Sequence, residues 1–525
     1  MADSQEAKAF TAVTWNVAAV NNNPFEYWVT HDDANYLTLM SDVQAFIDAP
    51  TAEQDCEVGA VLPEAIFAEL CEEMAKMGWA GVEETRKVWA EDFSKRRIIS
   101  GFLKDKEVGA KRLASMPDRI TNSVTLADGG TAHRPSVISN SSVPLPDIQT
   151  WWAAWRSFMF VDPLTVPAKE GSKSTCPGKM LGPILRAKYP ALTEEEEAMS
   201  LPLQTMCLAI FDAVLVHMLN VVGPGSWQSV KEALCSALSS NKVPLTLQIL
   251  AEQYGDVDVI FLQECVATFA KAIWANPALD ERFVVLSPAR IDTKRDQNSL
   301  ILVSRKTFDG AAVQEITADV TSHIAEDKRG MLAAGDLYAG VVPALDGGPP
   351  VLLASFHGDT DGLATVPVLN ALHEVWTARG QPTRFMFGLD ANAHCEAVPG
   401  KRLSSREFVE ACQSRGLGEC WQGLAAERPR ECCTTFNART YLQPQLNKAV
   451  DRGRAADDKN TDRNPKDYIV FDPKQLRPAA PPTRNNTGVR DRFDADAPFP
   501  TLHFPSDHAA LLAVLAPVQE PASLY

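Results

Sequence analysis

The stretch D-V-D-V-I-F-L-Q-E at residues 256–264 decides the fold. It begins acidic, continues through Val259, Ile260, Phe261 and Leu262, and ends on Gln263 and Glu264. A short apolar run rich in β-branched and aromatic residues reads as a buried strand, because a helix that buries every face needs more length. Gln263 and Glu264 fall where that strand leaves the core. A carboxylate fixed at the end of a rigid strand is well placed to hold a hard cation such as Mg²⁺.

Outward from this stretch the pattern alternates. Residues 245–254 have a helical pattern that Gly255 stops. Strand-like runs follow at 299–304, 351–356, 385–389, 468–471 and 510–515, with a helix expected over 366–379 and a turn at 478–482. One more strand, A-V-T-W-N-V at 12–17, stands far upstream.

The block between differs. From 32 to 89 apolar residues recur at helical spacing (Val43, Phe46, Ile47; Ile66, Phe67, Leu70), which predicts several amphipathic helices. Trp151, Trp152 and Trp155 read as helix packing in a core. Residues 115–146 and 165–189, rich in Ser, Asn, Gly and Pro, read as a connector and an irregular segment. Thr193 followed by Glu194, Glu195 and Glu196 suits a helix start. The most membrane-like run, 207–222, contains Asp212 and His217 and reads as a buried helix, not a membrane span. The expected organisation is an α/β domain of residues 1–30 and 241–525 interrupted by a mainly helical insertion at 31–240.

Composition bounds the function. The chain has 525 residues, a net charge of -17 and a pI of about 5.1. That acidity argues against a general nucleic-acid coat protein, whose affinity comes from Lys and Arg. It leaves room for a phosphorylated substrate at a local basic site, and residues 401–490 carry seventeen Lys or Arg against eleven Asp or Glu. The 11 cysteines form no C-x-x-C, and the adjacent Cys432-Cys433 has no partner pair at ligand spacing, so free thiols in a reducing compartment are expected. The start M-A-D-S-Q-E-A-K carries no signal-peptide pattern. The expected location is cytoplasmic or nuclear.

The polar residues at strand ends carry the chemistry. Asn16 ends T-W-N, Glu264 ends L-Q-E, and His357 follows V-L-L-A-S-F. Asp390 and Asn392 follow F-M-F-G-L, Asp467 opens D-Y-I-V-F, and Asp507-His508 stands in F-P-S-D-H. Cutting a phosphate ester needs charge neutralisation at the non-bridging oxygens and a water that can lose a proton. Glu264, oriented by Asn16, is a candidate Mg²⁺ ligand. His508 has the intrinsic pKa of a general base, and Asp467 is placed to hold its tautomer. Asp390 is a candidate to position or deprotonate the nucleophile, and Asn392 and His357 are candidate donors to phosphate oxygens.

This ordered set (N, Q-E, S-F-H, D-x-N, D-Y-I, S-D-H) resembles the endonuclease/exonuclease/phosphatase superfamily, with the deoxyribonuclease-I-like fold. The resemblance covers residues 11–28 and about 245–517 and leaves out roughly 31–240. It implies a four-layer α/β sandwich with two central mixed sheets. It also implies metal ligation by Glu264, Asn16 and Asp507, with Mg²⁺ as cofactor and Mn²⁺ as the alternative. His508 is implied as general base or phosphate contact backed by Asp467, with Asp390 and Asn392 orienting water and phosphate and His357 stabilising the transition state. The chain departs from the family's Gly-Asp-Phe-Asn in having Gly388-Leu389-Asp390-Ala391-Asn392, and Gly358 follows His357 where an apolar residue is usual. Three substrate readings stay open: a nuclease for RNA or single-stranded DNA, a phosphatase or phosphodiesterase for inositol or lipid phosphates, and a non-catalytic scaffold. The insertion is expected to shape substrate access or to bind a protein partner.

Overall fold

The structure, a computed structural model, describes residues 9–518 except 294, 296, 380 and 445–460. The chain divides into two compact units, one of Met1–Val20, Ser240–Asn437 and Asp462–Tyr525, the other of Asn21–Ser239 and Ala438–Thr461.

In the first unit the strands are, in chain order, β1 (Phe10–Asn16), β2 (Val259–Cys265), β3 (Phe283–Leu286), β4 (Asn298–Ser304), β5 (Gln314–Glu315), β6 (Leu337–Val342), β7 (Val351–His357), β8 (Arg384–Asp390), β9 (Gly418–Glu419), β10 (Asp467–Phe471), β11 (Leu476–Pro478), β12 (Thr483–Asn485) and β13 (Ala510–Pro517). One sheet runs β11-β13-β1-β2-β4-β3, with β12 also paired to β13, and the other runs β9-β10-β8-β7-β6-β5. Both are mixed. β1 and β2 are parallel, as are β7 and β8, while β1–β13, β2–β4 and β8–β10 are antiparallel.

Period-two alternation builds the layers. Phe10, Ala12, Val259 and Phe261 point into the core shared with Ala354, Phe385 and Phe387 of the second sheet. Val13, Trp15, Ile260 and Leu262 point the other way, against Leu250, Tyr254, Phe269 and Ile273 of the flanking helices Lys242–Gln253 and Phe269–Trp274. Helices Thr365–Thr377 and Ser405–Gln413 send Val368, Leu372, Phe408 and Val409 into the shared core from beyond the second sheet. The result is the four-layer α/β sandwich with two central mixed sheets. A Cβ at Gly388 would sit 2.3 Å from the Phe261 ring, so this glycine serves the close approach of the sheets. Its place one residue before Leu389, instead of directly before Asp390, has a packing cause.

The second unit is mainly helical, with helices Ala34–Asp48, Glu64–Lys76, Val82–Glu91, Ile148–Arg156, Ser200–Val222 and Trp227–Cys235. Trp151, Trp152 and Trp155 are buried and their rings adjoin one another. Thr193 caps Glu194–Ala198 with a reciprocal capping box through Glu196. Ser200–Val222 is, among the described residues, the one helix long and apolar enough to cross a membrane, and 78% of its apolar window is buried inside the protein. Asp212 on that helix lies in a fully buried cluster. Arg134 Nε donates to its Oδ2 at 2.7 Å, Trp155 Nε1 to the same oxygen at 2.9 Å, and Ser136 Oγ to its Oδ1 at 2.7 Å. Two expectations fail here. Residues 115–146 contain the helix Ser115–Thr121 and a hairpin of Ser123–Thr125 with Thr131–His133, and residues 165–189 hold most of a second hairpin, Leu164–Pro167 with Ser172–Thr175. The Gly129 and Gly171 positions that suggested irregularity are the positive-φ corners of these hairpins.

Candidate active site and metal centre

Each of the eight candidate residues sits where a strand of the first unit ends or begins, and most of them converge. β1 and β2 run parallel with Asn16 beside Gln263, and β7 and β8 run parallel with His357 beside Asp390, itself opposite Asp467. A register shift between Leu262 and Cys265 bulges β2 at its end, and Glu264 adopts a left-handed φ of 55°. That conformation costs a non-glycine residue about 1–3 kcal/mol. Four donors hold the carboxylate that results. Asn16 Nδ2 lies 3.1 Å and His357 Nε2 also 3.1 Å from Oε1, while Ala19 N–H and Gln297 Nε2 donate to Oε2 at 2.9 and 3.2 Å.

Asp390, 1% exposed, is the hub. Its Oδ2 accepts from Asn16 Nδ2 at 3.0 Å and lies 3.8 Å from His357 Nε2 and 3.6 Å from His508 Nε2. Its Oδ1 accepts the backbone N–H of Asn392 at 2.8 Å. Asn392 takes a left-handed φ of 46°, which asparagine tolerates, and its side-chain amide makes no hydrogen bond to a described residue. Behind the hub, His508 Nδ1 lies 2.9 Å from Asp467 Oδ2, to which Thr434 also donates. Among the described residues Asp467 Oδ1 is buried without a partner. Ser506 fixes the S-D-H turn by donating to Asn16 O at 2.6 Å and accepting His508 N–H at 3.0 Å.

The charges follow from these contacts. Burial pushes the Glu264 carboxyl up, but the charge of His357 and the hydrogen bonds from Ala19 and Asn16 outweigh it and hold the group down at about 2. Burial pushes the His508 imidazole down, and the carboxylates of Asp467 and Asp390 overcome it, raising the group to about 10. Burial also raises the Asp467 carboxyl. Both directions favour a proton on the His508–Asp467 pair.

Two sets of side chains bring ligand atoms within 4.8 Å of one another: Glu264, His357 and Asp390, and Asp390, Asp467 and His508. Carboxylate oxygens dominate both sets, as a hard divalent cation requires. Two expected ligands stand apart. Asn16 turns its nitrogen to the two carboxylates while its Oδ1 accepts Ala18 N–H at 2.8 Å, because the chain turns back directly after β1. Asp507 belongs to neither set; its charge reaches Lys242, Lys466 and His508.

The amino-acid sequence carries no signal for Ala19, Gln297 and Thr434, since backbone amides and lone amide or hydroxyl side chains form no motif. It also missed Lys242, a buried lysine that donates to Pro505 O beside the S-D-H turn.

A family model described as Endonuclease/Exonuclease/phosphatase family matches residues 224–508, more than half of the chain. The chain belongs to this family. The endonuclease/exonuclease/phosphatase match begins inside the helical block and ends on His508, so it spans seven of the eight candidates and leaves Asn16 outside. A second model, a domain of unknown function (DUF8234), matches residues 55–232. Among solved structures the chain is similar to truncated Caenorhabditis elegans TDP2, at 14% identity, covering 53% of this chain and 92% of that one with a TM-score of 0.32. It is similar to D. rerio TDP2 complexed with single strand DNA product, at 11% identity, covering 54% and 95% with a TM-score of 0.35. It is also similar to ANGEL2, a 2',3'-cyclic phosphatase, in complex with adenosine-2',3'-vanadate, at 14% identity, covering 54% and 87% with a TM-score of 0.36. No curated protein matches.

Proposed function

We propose that this member of the family is a Mg²⁺-dependent phosphoesterase that hydrolyses phosphodiester bonds, with RNA or single-stranded DNA as the substrate class. The observation that carries the reading is the convergence of Glu264, His357, Asp390, Asp467 and His508 from five strand ends into one acidic cluster. Glu264 and Asp390 are the residues that would hold the cation, with Asn16 fixing both carboxylates. A divalent cation bound there would neutralise non-bridging phosphate oxygens and lower the pKa of a water.

The side chains divide the remaining work. Asp390 accepts the proton of the attacking water through Oδ2, the oxygen nearest Asn16 and the two imidazoles, since Oδ1 is fixed by Asn392 N–H. His508, kept protonated by two carboxylates, donates to a phosphate oxygen as negative charge builds on it, which favours the phosphate-contact role over the general-base role. The unused amide of Asn392 supplies a further donor, and His357 serves by turning from the Glu264 carboxylate it now contacts. Asp467 holds the His508 ring.

The nucleic-acid reading is supported by Lys401 and Arg406, which follow Asn392, are exposed and form no ion pair with a described residue. Other cations of the basic stretch are engaged, Lys466 with Asp462 and Arg428 with Glu431, and part of the stretch lies outside the described residues.

The test offers purified protein RNA, single-stranded DNA, inositol phosphates and a generic phosphodiester, with and without chelator. Mg²⁺-dependent turnover of a polynucleotide that weakens steeply with salt is the expected result. Salt-insensitive turnover of inositol phosphates would replace the nuclease reading. Metal-independent turnover, or full activity in His508→Ala, would remove the mechanism.

A further inference from the structure

The D-A-N turn at 390–392 is held from behind by the loop that follows His357. That loop, residues 358–364, joins β7 to the helix Thr365–Thr377. Its sequence, G-D-T-D-G-L-A, departs from the apolar residue usual after the histidine, and the structure gives the departure a use. Gly358 lets the chain fold back over β7, since a Cβ there would lie 2.6 Å from the Phe356 ring. Asp359 then closes the loop. Its carboxylate accepts Leu363 N–H at 3.0 Å and Ala364 N–H at 2.7 Å, and its carbonyl accepts Gly362 N–H at 2.9 Å.

The closed loop meets the D-A-N turn at its backbone. Thr365, 1% exposed, donates from Oγ1 to Ala391 O at 2.8 Å. Gly362 has a φ of 74°, and a Cβ on it would lie 2.8 Å from both Ala391 O and Asn392 O. Glycine alone suits both the conformation and the approach. From the other side Lys466 O accepts Ala391 N–H at 2.7 Å. Two further bonds knit the flanks, Leu403 N–H to Asp361 O and His394 N–H to Leu403 O, both at 2.9 Å. Ala391 and Ala393 are fully buried in the core shared by the two sheets. Between them Asn392 keeps its left-handed φ of 46° at 4% exposure, with its amide making no hydrogen bond to a described residue. A strained backbone that leaves a buried polar side chain unused persists only where its surroundings hold it.

We propose that Gly362 and Thr365 are positioning residues, which clamp the backbone of Ala391 and Asn392 so that the Asn392 amide is aimed at the phosphate of the substrate. The proposal deepens the phosphoesterase reading and rests on it, since that reading makes the amide a donor to a phosphate oxygen.

The effect on the reaction follows from the conformation. Released from Gly362 and Thr365, residue 392 relaxes towards the negative φ that L-residues prefer. That rotation swings the amide away, while Asp390, paired opposite Asp467 at the end of β8, keeps its place. A donor that stabilises charge developing in the transition state acts through placement, and a displacement of about 1 Å can cost on the order of 100-fold in rate. Substrate binding before the chemical step depends on it far less, so the loss falls on kcat and not on KM.

The experiment compares Thr365→Val, Thr365→Ser, Gly362→Ala, Asn392→Ala and the double variant Thr365→Val with Asn392→Ala, all in the full chain. Turnover of a generic phosphodiester with Mg²⁺ is measured beside calorimetric binding of orthovanadate, whose five-coordinate form resembles the phosphoryl transition state. Thr365→Val, which keeps the shape and removes the donor, should lower kcat about ten-fold with KM held within about two-fold. Thr365→Ser should restore kcat, and Gly362→Ala should lower it on the order of 100-fold. Added to Asn392→Ala, Thr365→Val should cost less than about two-fold more, because the group it positions is already gone. An equal loss in both backgrounds, no rescue by Thr365→Ser, or an unchanged kcat in Thr365→Val would each overturn the proposal. If the unaltered protein turns over no phosphodiester, the phosphoesterase reading fails and vanadate scores the clamp alone. Thr365→Val and Asn392→Ala should then weaken vanadate alike; no vanadate binding, or binding that Thr365→Val leaves unchanged, would overturn it.

Discussion

Each unit contains a buried ionic cluster, and the two are built on different logic. In the helical unit Arg134, fully buried, divides its donors among Asp212, Asp118 and Thr121, and Trp155 and Ser136 complete Asp212. The cation is a guanidinium, which keeps its proton at any ordinary pH. In the sandwich, three carboxylates (Glu264, Asp390 and Asp467) face two imidazoles, and Asp467 Oδ1 has no partner among the described residues. Its cations are groups that can gain and lose a proton. A self-satisfied cluster with a fixed charge holds a fold; one that is rich in acceptors and able to titrate is fitted for an incoming cation and for proton transfer.

The sharpest way to break this contrast is Asp390→Asn. Phosphodiester turnover should fall about 10²–10⁴-fold, while the melting temperature holds or rises, since a crowded carboxylate is removed. A melting temperature that collapses with the activity would make the sandwich cluster structural like the other. Conversely, Arg134→Met strands two carboxylates in an apolar core and should cost about 3–5 kcal/mol in denaturant unfolding; a loss near zero would show that the guanidinium does not hold the helical unit.

A third prediction uses the titrating member. The His508 pKa is raised from 6.5 to about 10 in the folded protein. Its contribution to stability is therefore fully present below pH 6.5 and is lost as pH rises through 10. With chelator present, unfolding free energy should decline over that window by on the order of a few kcal/mol, and His508→Gln should flatten the decline. A profile unchanged by the substitution would mean the pair does not hold its proton as described. The smallest effect is expected at Gly388→Ala, where the added methyl meets Phe261: about 1–3 kcal/mol, with activity per folded molecule retained.

Much of the sandwich could be read from the sequence because its strands obey simple periods. The run at 259–262 is apolar on both faces since β2 is packed on both, and it breaks into polarity where Gln263 and Glu264 reach the end of the sheet. The same rule exposed His357, Asp390 and Asp467. Orientation was not legible. Nothing in T-W-N says that Asn16 presents nitrogen to the carboxylates, since that depends on Ala18 N–H claiming its oxygen. Nor does a single arginine within R-P-S announce that Arg134 will find Asp212, 78 residues later, in the middle of an apolar helix. Short hairpins at Gly129 and Gly171 were hidden by composition that suits loops and tight corners equally.

The place of β1 has a consequence for synthesis. This first strand is sandwiched between β2 and β13, and Ser506 anchors the carbonyl of Asn16 across 490 positions of chain. A polypeptide emerging from the ribosome cannot pair both edges of β1 until β13 is free to dock, and ordering such distant segments is the slow part of folding. A chain that stops before Ser506 therefore lacks the hydroxyl that holds the end of β1, and His508 with it.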